Sequence, residues 1–322
     1  MPVIAAGRSE EETEKRVGAA LMAGKPVFSI DNIDGEIGGD SLCQCIERQN
    51  VNVRVLGKSD LVRIDVSTSM FGTGNNLAIA GDLTRRVVVS SLDPEMERPE
   101  LRVFKKDPVA TVLADRGKYI AACLTICRAY INAGRPNIAS PKLASFEGWS
   151  DCVRSALMWL GKADPVKSIE IARAEDPESA RLANMLSAWV WAIDIGDEKR
   201  ITLADAVQLS QEGKDSYDGP KRPELLNAIE AVVAERKKNS RGASHEMTDV
   251  TALSTWLQRY KKRVIGGLRF MNRPNTKAAA TWWVEHKDGK EAEERYRAEL
   301  AAEKEAKAAA AEEAKAAAAR RG

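Results

Sequence analysis

The 322-residue sequence has few of the side chains that build metal and nucleophile sites. It contains two histidines, His245 and His286, and five cysteines, and both histidines are remote from the cysteines in sequence. We therefore expect neither a four-ligand zinc site nor histidine catalysis. An odd number of cysteines in a chain too long to need covalent cross-links also argues against a disulfide framework.

Long apolar runs are absent as well. Stretches such as VATVLA and YIAACLTIC are much shorter than the roughly 20 residues that cross a bilayer, and the N-terminus has no apolar signal core. We expect a cytoplasmic protein with no membrane partner. The net charge is only +2, but residues 203–283 carry 14 basic and 9 acidic residues. That segment is where a polyanion would bind.

Residues 1–108 alternate strand and helix patterns, which predicts an α/β sheet. VFSIDNID at residues 27–34 predicts a strand that ends at Asp31 and Asn32, and DSLCQCIERQ predicts a helix beginning near Asp40. VNVRVL and DLVRIDV alternate apolar and polar residues, so they predict a β-hairpin with Lys58 near its tip. MFGTGNNLAIA and RRVVVSSL predict two further strands after the hairpin.

The rest of the sequence predicts a helical region, then a small α+β domain and then a tail. Residues 109–202 have helical periodicity, and the tryptophans and methionines on these faces are expected to form core. Residues 203–286 predict helices followed by the strands VIGGLRFM and TWWV, the layout of a winged-helix-like α+β domain. Residues 287–322 are rich in Ala, Glu and Lys, and predict a solvated helix or fraying tail.

Polar residues follow two of the predicted strands where an α/β sheet binds ligands, beyond the carboxyl ends of its strands. Asp suits a magnesium ion, an Asn amide can orient water, and Arg stabilises charge on a transferring phosphoryl group. The alternative is that these are ordinary turn residues and solvated arginines. The candidate side chains are Asp31, Asn32, Thr73, Asn75, Asn76, Arg85 and Arg86.

The segments VFSIDNIDG, RVLGKSD, GTGNNLAIAGDLTRRV, ERPELRVF and FEGWSDCVRSALMWLGKADP stand in an order that resembles a known family. Over about residues 7–200 the chain resembles the primase and helicase ATPases of phages and mobile elements, within the AAA+ class and close to superfamily 3 helicases. The resemblance implies a partial AAA+ sheet at 1–108 and a helical lid at 109–202. It also implies DNA replication: an oligomer that couples ATP hydrolysis to DNA unwinding.

The resemblance implies roles for individual residues. Asp31 is the expected Walker B acid that binds Mg²⁺ and ATP, and Asn75 or Asn76 is the expected sensor 1 group. Arg85 or Arg86 is the expected arginine finger, reaching the nucleotide of a neighbouring subunit. Lys58 becomes a candidate DNA contact, with a solvated turn lysine as the alternative.

Two features depart from the family pattern. Asn32 follows the Walker B acid where many AAA+ proteins have a catalytic Glu, and Asp34 could substitute for it only if the turn aims its side chain inward. The phosphate-binding motif G-x-x-x-x-G-K-[ST] is missing, since the single Gly-Lys-Ser, at 57–59, follows the Walker B strand instead of preceding it. We expect a truncated or split version that binds ATP poorly alone and needs a Walker A-bearing partner.

A run of basic residues without any acidic residue lies between Arg259 and Lys277. Such a concentration is the electrostatic footprint of DNA phosphate contacts. The alternative is a protein-docking wing with a solvated basic rim, which corresponds to a non-enzymatic DNA-binding or adaptor protein. The seven residues are Arg259, Lys261, Lys262, Arg263, Arg269, Arg273 and Lys277.

Overall fold

The computed structural model describes residues 1–7, 9–54, 60–103, 105–139, 141–214, 216, 219–239, 249–275 and 278–319. The chain divides into two compact units, which we describe separately. The first unit contains almost all residues up to Asp176, and the second begins at Pro177. Within the described residues, no helix combines the length and apolar character needed to cross a bilayer.

A three-stranded parallel sheet lies at the centre of the first unit. Its strands are β1 (Val3–Ala5), β2 (Val27–Ile37) and β5 (Ser69–Ile79), with β2 in the middle. Since crossovers between parallel strands are right-handed, α1 (Glu10–Met22) and α2 (Asp40–Glu47) cover the same face. The predicted α/β class is confirmed at this level. The core of this face includes Val17, Leu21, Phe28, Ile30 and Leu42.

The pairing of β2 with β5 is interrupted by a β-bulge. It lies between Ile30 and Ile33, and it leaves Asp31 and Asn32 opposite a single residue, Thr73. The strand then resumes and continues to Ile37. The prediction that this strand ends at Asp31 and Asn32 is therefore wrong, because a bulge turns the backbone without ending the strand.

A second bulge, nearer the ends of the strands, adds the extra residue to β5. The two bulges offset each other, so the last residues of the strands, Ile37 and Ile79, are paired again. Each bulge contains an asparagine with positive φ, 55° at Asn32 and 53° at Asn76. Asn adopts this conformation at lower cost than most residues, which explains why it occurs at both positions.

The predicted hairpin is present between α2 and β5. β3 (Asn50–Arg54) and β4 (Leu61–Asp65) pair antiparallel as a separate two-stranded sheet. After β5, residues Gly81–Arg85 form a 3₁₀ turn. The strand predicted from RRVVVSSL is wrong, because this segment has irregular backbone and the Val89 N–H donates to the Ser168 hydroxyl instead of a neighbouring strand.

Helices complete the first unit, as their periodicity predicted. They are α3 (Pro108–Ala114), α4 (Arg116–Asn132), a continuous helix of α5 (Glu147–Trp149), a π turn (Ser150–Arg154) and α6 (Ser155–Trp159), and α7 (Lys167–Ala174). Arg154 is buried and holds this part together. Its guanidinium donates to Asp164 at 2.7 and 2.8 Å and to the Pro141 carbonyl at 2.7 Å.

The second unit packs helices against a small antiparallel sheet. α8 (Pro177–Ile193), α9 (Leu203–Gln211), α10 (Pro223–Asn239) and α11 (Asp249–Tyr260) surround a core, and the strand order is β6-β8-β7. The strands are β6 (Ile201–Thr202), β7 (Leu268–Arg273) and β8 (Thr281–His286).

The two units meet between Asp176 and Pro177. α8 joins the second unit because Leu182, Met185 and Trp189 are fully buried in its core. The expectation that these residues form core is confirmed. Trp256 and Trp282 are buried in the same core.

The predicted solvated tail is a helix, α12 (Lys290–Ala319), whose first turns are docked. Tyr296 and Leu300 pack on the core of the second unit. Arg297 donates to the Ile195 carbonyl and Glu198, both at 2.5 Å. The expectation of a wholly solvated tail is therefore wrong for these turns. One apolar residue per turn and one arginine are enough to hold α12 against the second unit, although its composition alone predicts a solvated helix.

Candidate functional site

Asp31 lies on the face of the sheet opposite the helices, in contact with Thr73 of the neighbouring strand. The Thr73 hydroxyl donates a hydrogen bond to the Asp31 carboxylate, and the Asn32 N–H lies 3.5 Å from the same hydroxyl oxygen. The bulge produces this contact, because two residues of β2 share one position of β5. Asp31 is exposed, so its second oxygen faces solvent.

Asn75 and Asn76 lie on β5 just beyond Thr73, and both are exposed. Asn75 is in register with Asp34 of β2, three residues after Asp31. The acid and the amides thus belong to neighbouring strands of one sheet. They lie within the strands and not at the carboxyl ends, because both strands continue past their bulges.

Arg85 and Arg86 have different environments. The Arg86 guanidinium is 3% exposed, and it contacts Glu47 of α2 and Asp82 at 2.6 Å each. Hydrogen bonding from Arg86 holds the pKa of Glu47 below its usual range. Arg85 is more exposed and lies 2.5 Å from Asp82, so it also lowers the pKa of that carboxyl. A residue of a neighbouring molecule could reach Arg85, whereas Arg86 is an internal clamp between α2 and the 3₁₀ turn.

The oxygen atoms of Asp31 and Thr73 suit a magnesium ion that is already bound to phosphate and water. Carboxylate and hydroxyl oxygens are the ligands that Mg²⁺ prefers. Among the described residues, however, no three Asp, Glu, His or Cys side chains cluster closely enough to hold a metal ion. One carboxylate beside one hydroxyl fits an ion that already carries phosphate oxygens and water, and does not fit a free ion held by protein alone.

The predicted hairpin-tip contact, Lys58, and the Gly-Lys-Ser at 57–59 lie outside the described residues. No family model matches the chain, and no curated protein matches it closely enough to count as a relative.

The basic segment of the second unit divides into paired and unpaired residues. Arg269 donates to Glu285 directly across the β7–β8 pair, at 2.7 Å. Arg259 and Arg263 lie 3.5 and 3.9 Å from Glu178 of α8. These three arginines are structural as well as basic.

The other basic residues of the segment are available for a ligand. Among the described residues, no ion pair joins Lys261, Lys262 or Arg273 to a carboxylate, and Lys262 and Arg273 are exposed. Lys277 lies outside the described part of the chain. Of the six described basic residues of this segment, three therefore have no carboxylate partner and three are paired.

The exposed face of α11 is polar and was not singled out from the sequence. Thr251, Thr255 and Gln258 are exposed, while Leu253 and Leu257 are buried. Side chains of this kind read base edges when a helix lies in the major groove of DNA. This polar face could have been identified from the sequence. Residues of a helix that lie outside its apolar stripe must face outward.

The sequence identified Thr73 only as one of several polar candidate residues. Its contact with Asp31 depends on the bulge, which places two residues of β2 opposite it. A pattern of GTGNN after a strand indicates irregular backbone, but it does not say which partner strand supplies the contact.

Proposed function

We propose that this chain is part of a primase/helicase-type ATPase, in which an oligomer couples ATP hydrolysis to DNA unwinding during replication. The observation that carries the proposal is the contact of Asp31 with Thr73 on neighbouring parallel strands, next to Asn75. An acid and polar groups so arranged suit a phosphate-bound Mg²⁺ and an oriented water.

The order of elements supports the same proposal. The strand with the acid, the β3–β4 hairpin, the strand with the amides and then Arg85 follow one another as in the family that the sequence resembles. In this assignment Arg85 reaches the nucleotide of a neighbouring subunit, since Arg86 is buried in its clamp. The finger and the acid then act in different subunits, so the function requires an oligomer.

The phosphate-binding loop is assigned to a partner polypeptide. The 322 residues contain no G-x-x-x-x-G-K-[ST] motif, and a lone carboxylate does not retain a nucleotide strongly. Addition of a polypeptide that carries such a loop should therefore produce ATP hydrolysis that this chain alone lacks.

The second unit is assigned to DNA. Lys261 and Lys262 lie in the turn that directly follows α11, and Arg273 is the last residue of β7. Phosphate contacts supply affinity without sequence preference, and polar groups on a helix supply base contacts.

The experiment compares ATP hydrolysis by the mixture of this chain and a loop-bearing partner. Asp31→Ala should abolish it and Arg85→Ala should reduce it by roughly 1000-fold, as for other arginine fingers. Asp65→Ala, which changes an exposed carboxylate of β4, is the control and should leave the rate unchanged. Equal rates for wild type and Asp31→Ala would contradict the proposal.

A second candidate is a non-enzymatic DNA-binding or adaptor protein that uses only the second unit. It is favoured by the single carboxylate at the nucleotide site and by the missing phosphate loop. Salt-sensitive DNA binding that is unaffected by nucleotide and by Asp31→Ala would select this candidate.

A further inference from the structure

The exposed face of helix α11 in the second unit has no carboxylate. Its exposed residues are Thr251, Thr255, Gln258 and Arg259. Exposed positions of α10 in the same unit, by contrast, include Glu224 and Glu230. Threonine is a poorer helix former than Glu or Lys, so helix stability does not explain two threonines at solvent-facing positions. A polar face without carboxylates suits contact with an anionic partner.

Cations border this face. Arg259 belongs to it, and its side chain is 54% exposed. Lys262 follows the end of α11 by two residues, and its backbone N–H donates to the Phe270 carbonyl of β7 at 3.0 Å. That hydrogen bond holds the exposed Lys262 where α11 meets the ribbon formed by β7 and β8. Cations at the border and neutral polar groups between them match the phosphates and base edges of a DNA groove.

Gln258 and Thr255 offer two different chemical groups to an outside partner. The exposed Gln258 amide carries both hydrogen-bond donors and an acceptor. The Thr255 hydroxyl donates to the Thr251 carbonyl at 3.0 Å, which leaves the Thr255 methyl group for an outside contact. In the major groove, a glutamine amide pairs with N6 and N7 of adenine, and a threonine methyl contacts the C5-methyl of thymine. Both groups therefore favour A·T pairs.

The same face suits paired bases and not single strands. Proteins that bind single strands stack the bases on aromatic rings. The two aromatic residues of α11, Trp256 and Tyr260, are buried in the core of the second unit. An A-form RNA helix has a major groove too deep and narrow for side chains to read. Double-stranded DNA is therefore the nucleic acid that fits α11.

We propose, on the basis of the DNA-binding role assigned to the second unit, that α11 recognises A·T pairs in the major groove of a DNA duplex. Gln258 pairs with an adenine, and the Thr255 methyl contacts a thymine. Side chains three residues apart on a helix have Cβ atoms about 5–6 Å apart, and successive base pairs are about 3.4 Å apart. The two A·T pairs are therefore neighbours or are separated by one base pair.

The first test selects duplexes from a pool of randomised base pairs, with the full chain at about 150 mM salt. Recovered sequences should share two A·T pairs within three consecutive positions. Salt-sensitive binding without enrichment at any position would overturn the proposal and leave the DNA-binding role intact, because phosphate contacts carry no sequence information. If no duplex binds, both the DNA-binding role and the proposal are wrong.

The second test removes single groups from the selected duplex. 7-Deazaadenine lacks N7 and uracil lacks the methyl group of thymine, and both changes lie in the major groove. Replacing the adenine should weaken binding by wild type roughly tenfold and should not affect Gln258→Ala. Replacing the thymine should weaken binding by wild type about threefold. It should not affect Thr255→Ser, which keeps the hydroxyl that donates to Thr251.

The matched control is Gln208→Ala, which removes the same side chain from an exposed position of α9. It should stay sensitive to both base analogues, and all three variants should keep the melting temperature of wild type. If Gln258→Ala is as sensitive to 7-deazaadenine as wild type, another residue reads the adenine and the proposal is wrong. A preference for A·T pairs that neither analogue changes would place the contact in the minor groove, which also refutes it.

Discussion

Replacing Lys261, Lys262 and Arg273 by alanine should weaken DNA binding without affecting the fold. These residues have no carboxylate partner among the described residues, so no structural ion pair is lost. Each phosphate contact contributes about 0.9 to the slope of log K against log salt concentration. If all three contact phosphates, the slope should become shallower by about 2.7 in the triple variant.

The assay is fluorescence anisotropy of a short labelled duplex, titrated with protein at salt concentrations from about 50 to 300 mM. The matched control is Arg269→Gln with Glu285→Gln, which removes an ion pair of the same ribbon and leaves the net charge unchanged. Its slope should equal that of wild type. An unchanged slope in the triple variant, or an equal change in the control, would refute the division into paired and free cations.

Three further predictions concern stability and reactivity. Asp164→Asn should lower the free energy of unfolding of the first unit by about 3 kcal/mol at pH 7, because it leaves the buried Arg154 without its charge partner. Hydrogen bonding from Arg154 lowers the pKa of Asp164, so its stabilisation is complete above about pH 4 and is lost as the pH falls through the lowered value. Urea unfolding at pH 7 and pH 3 should show the difference between variant and wild type shrinking, and a constant difference would contradict it. Burial raises the pKa of Cys45 to about 11, so a thiol reagent at pH 8 should leave this residue unlabelled until the protein is denatured, and fast labelling would be the opposing result. Removing residues 290–322 should destabilise the second unit by roughly 3 kcal/mol through the loss of packed apolar surface, whereas removal of 308–322 should cost nothing measurable by thermal denaturation.

Most elements with regular periodicity were predictable. α2, the β3–β4 hairpin and α11 form where the sequence indicates them, because each has an unbroken apolar pattern and a terminating signal. RRVVVSSL is the exception. Its valines pack partly against the core of the first unit, but no neighbouring strand meets their backbone, and a local pattern cannot report a missing partner.

The candidate site was predictable in composition and not in geometry. Sequence reasoning found Asp31, Asn75 and Asn76, but it placed them at strand ends, because polar residues after an apolar run usually mark a turn. The bulges at Asn32 and Asn76 reverse that inference, since each strand regains its register afterwards. The register of long-range pairing is a tertiary property that no single segment encodes.

Whether an individual charged residue forms an ion pair was the least predictable property. Arg86 and Arg269 look like free cations in the sequence, yet each meets a carboxylate contributed by a distant segment. Glu47 is 39 residues away from Arg86, and no local pattern connects them. Counting basic residues therefore locates a candidate DNA-binding segment, and only the fold separates its cations without a carboxylate partner from its structural arginines.

The proposed function requires that Asp31 and Thr73 face a phosphate-bound divalent cation. The most direct measurement replaces Mg²⁺ by paramagnetic Mn²⁺ with ATP and records the amide NMR signals of the full chain, which detects even weak binding. We expect broadening of the Asn32, Thr73 and Gly74 signals that disappears in Asp31→Asn and persists in Asp34→Asn. Broadening that is unchanged in Asp31→Asn, or that is absent from these strands in wild type, would contradict it.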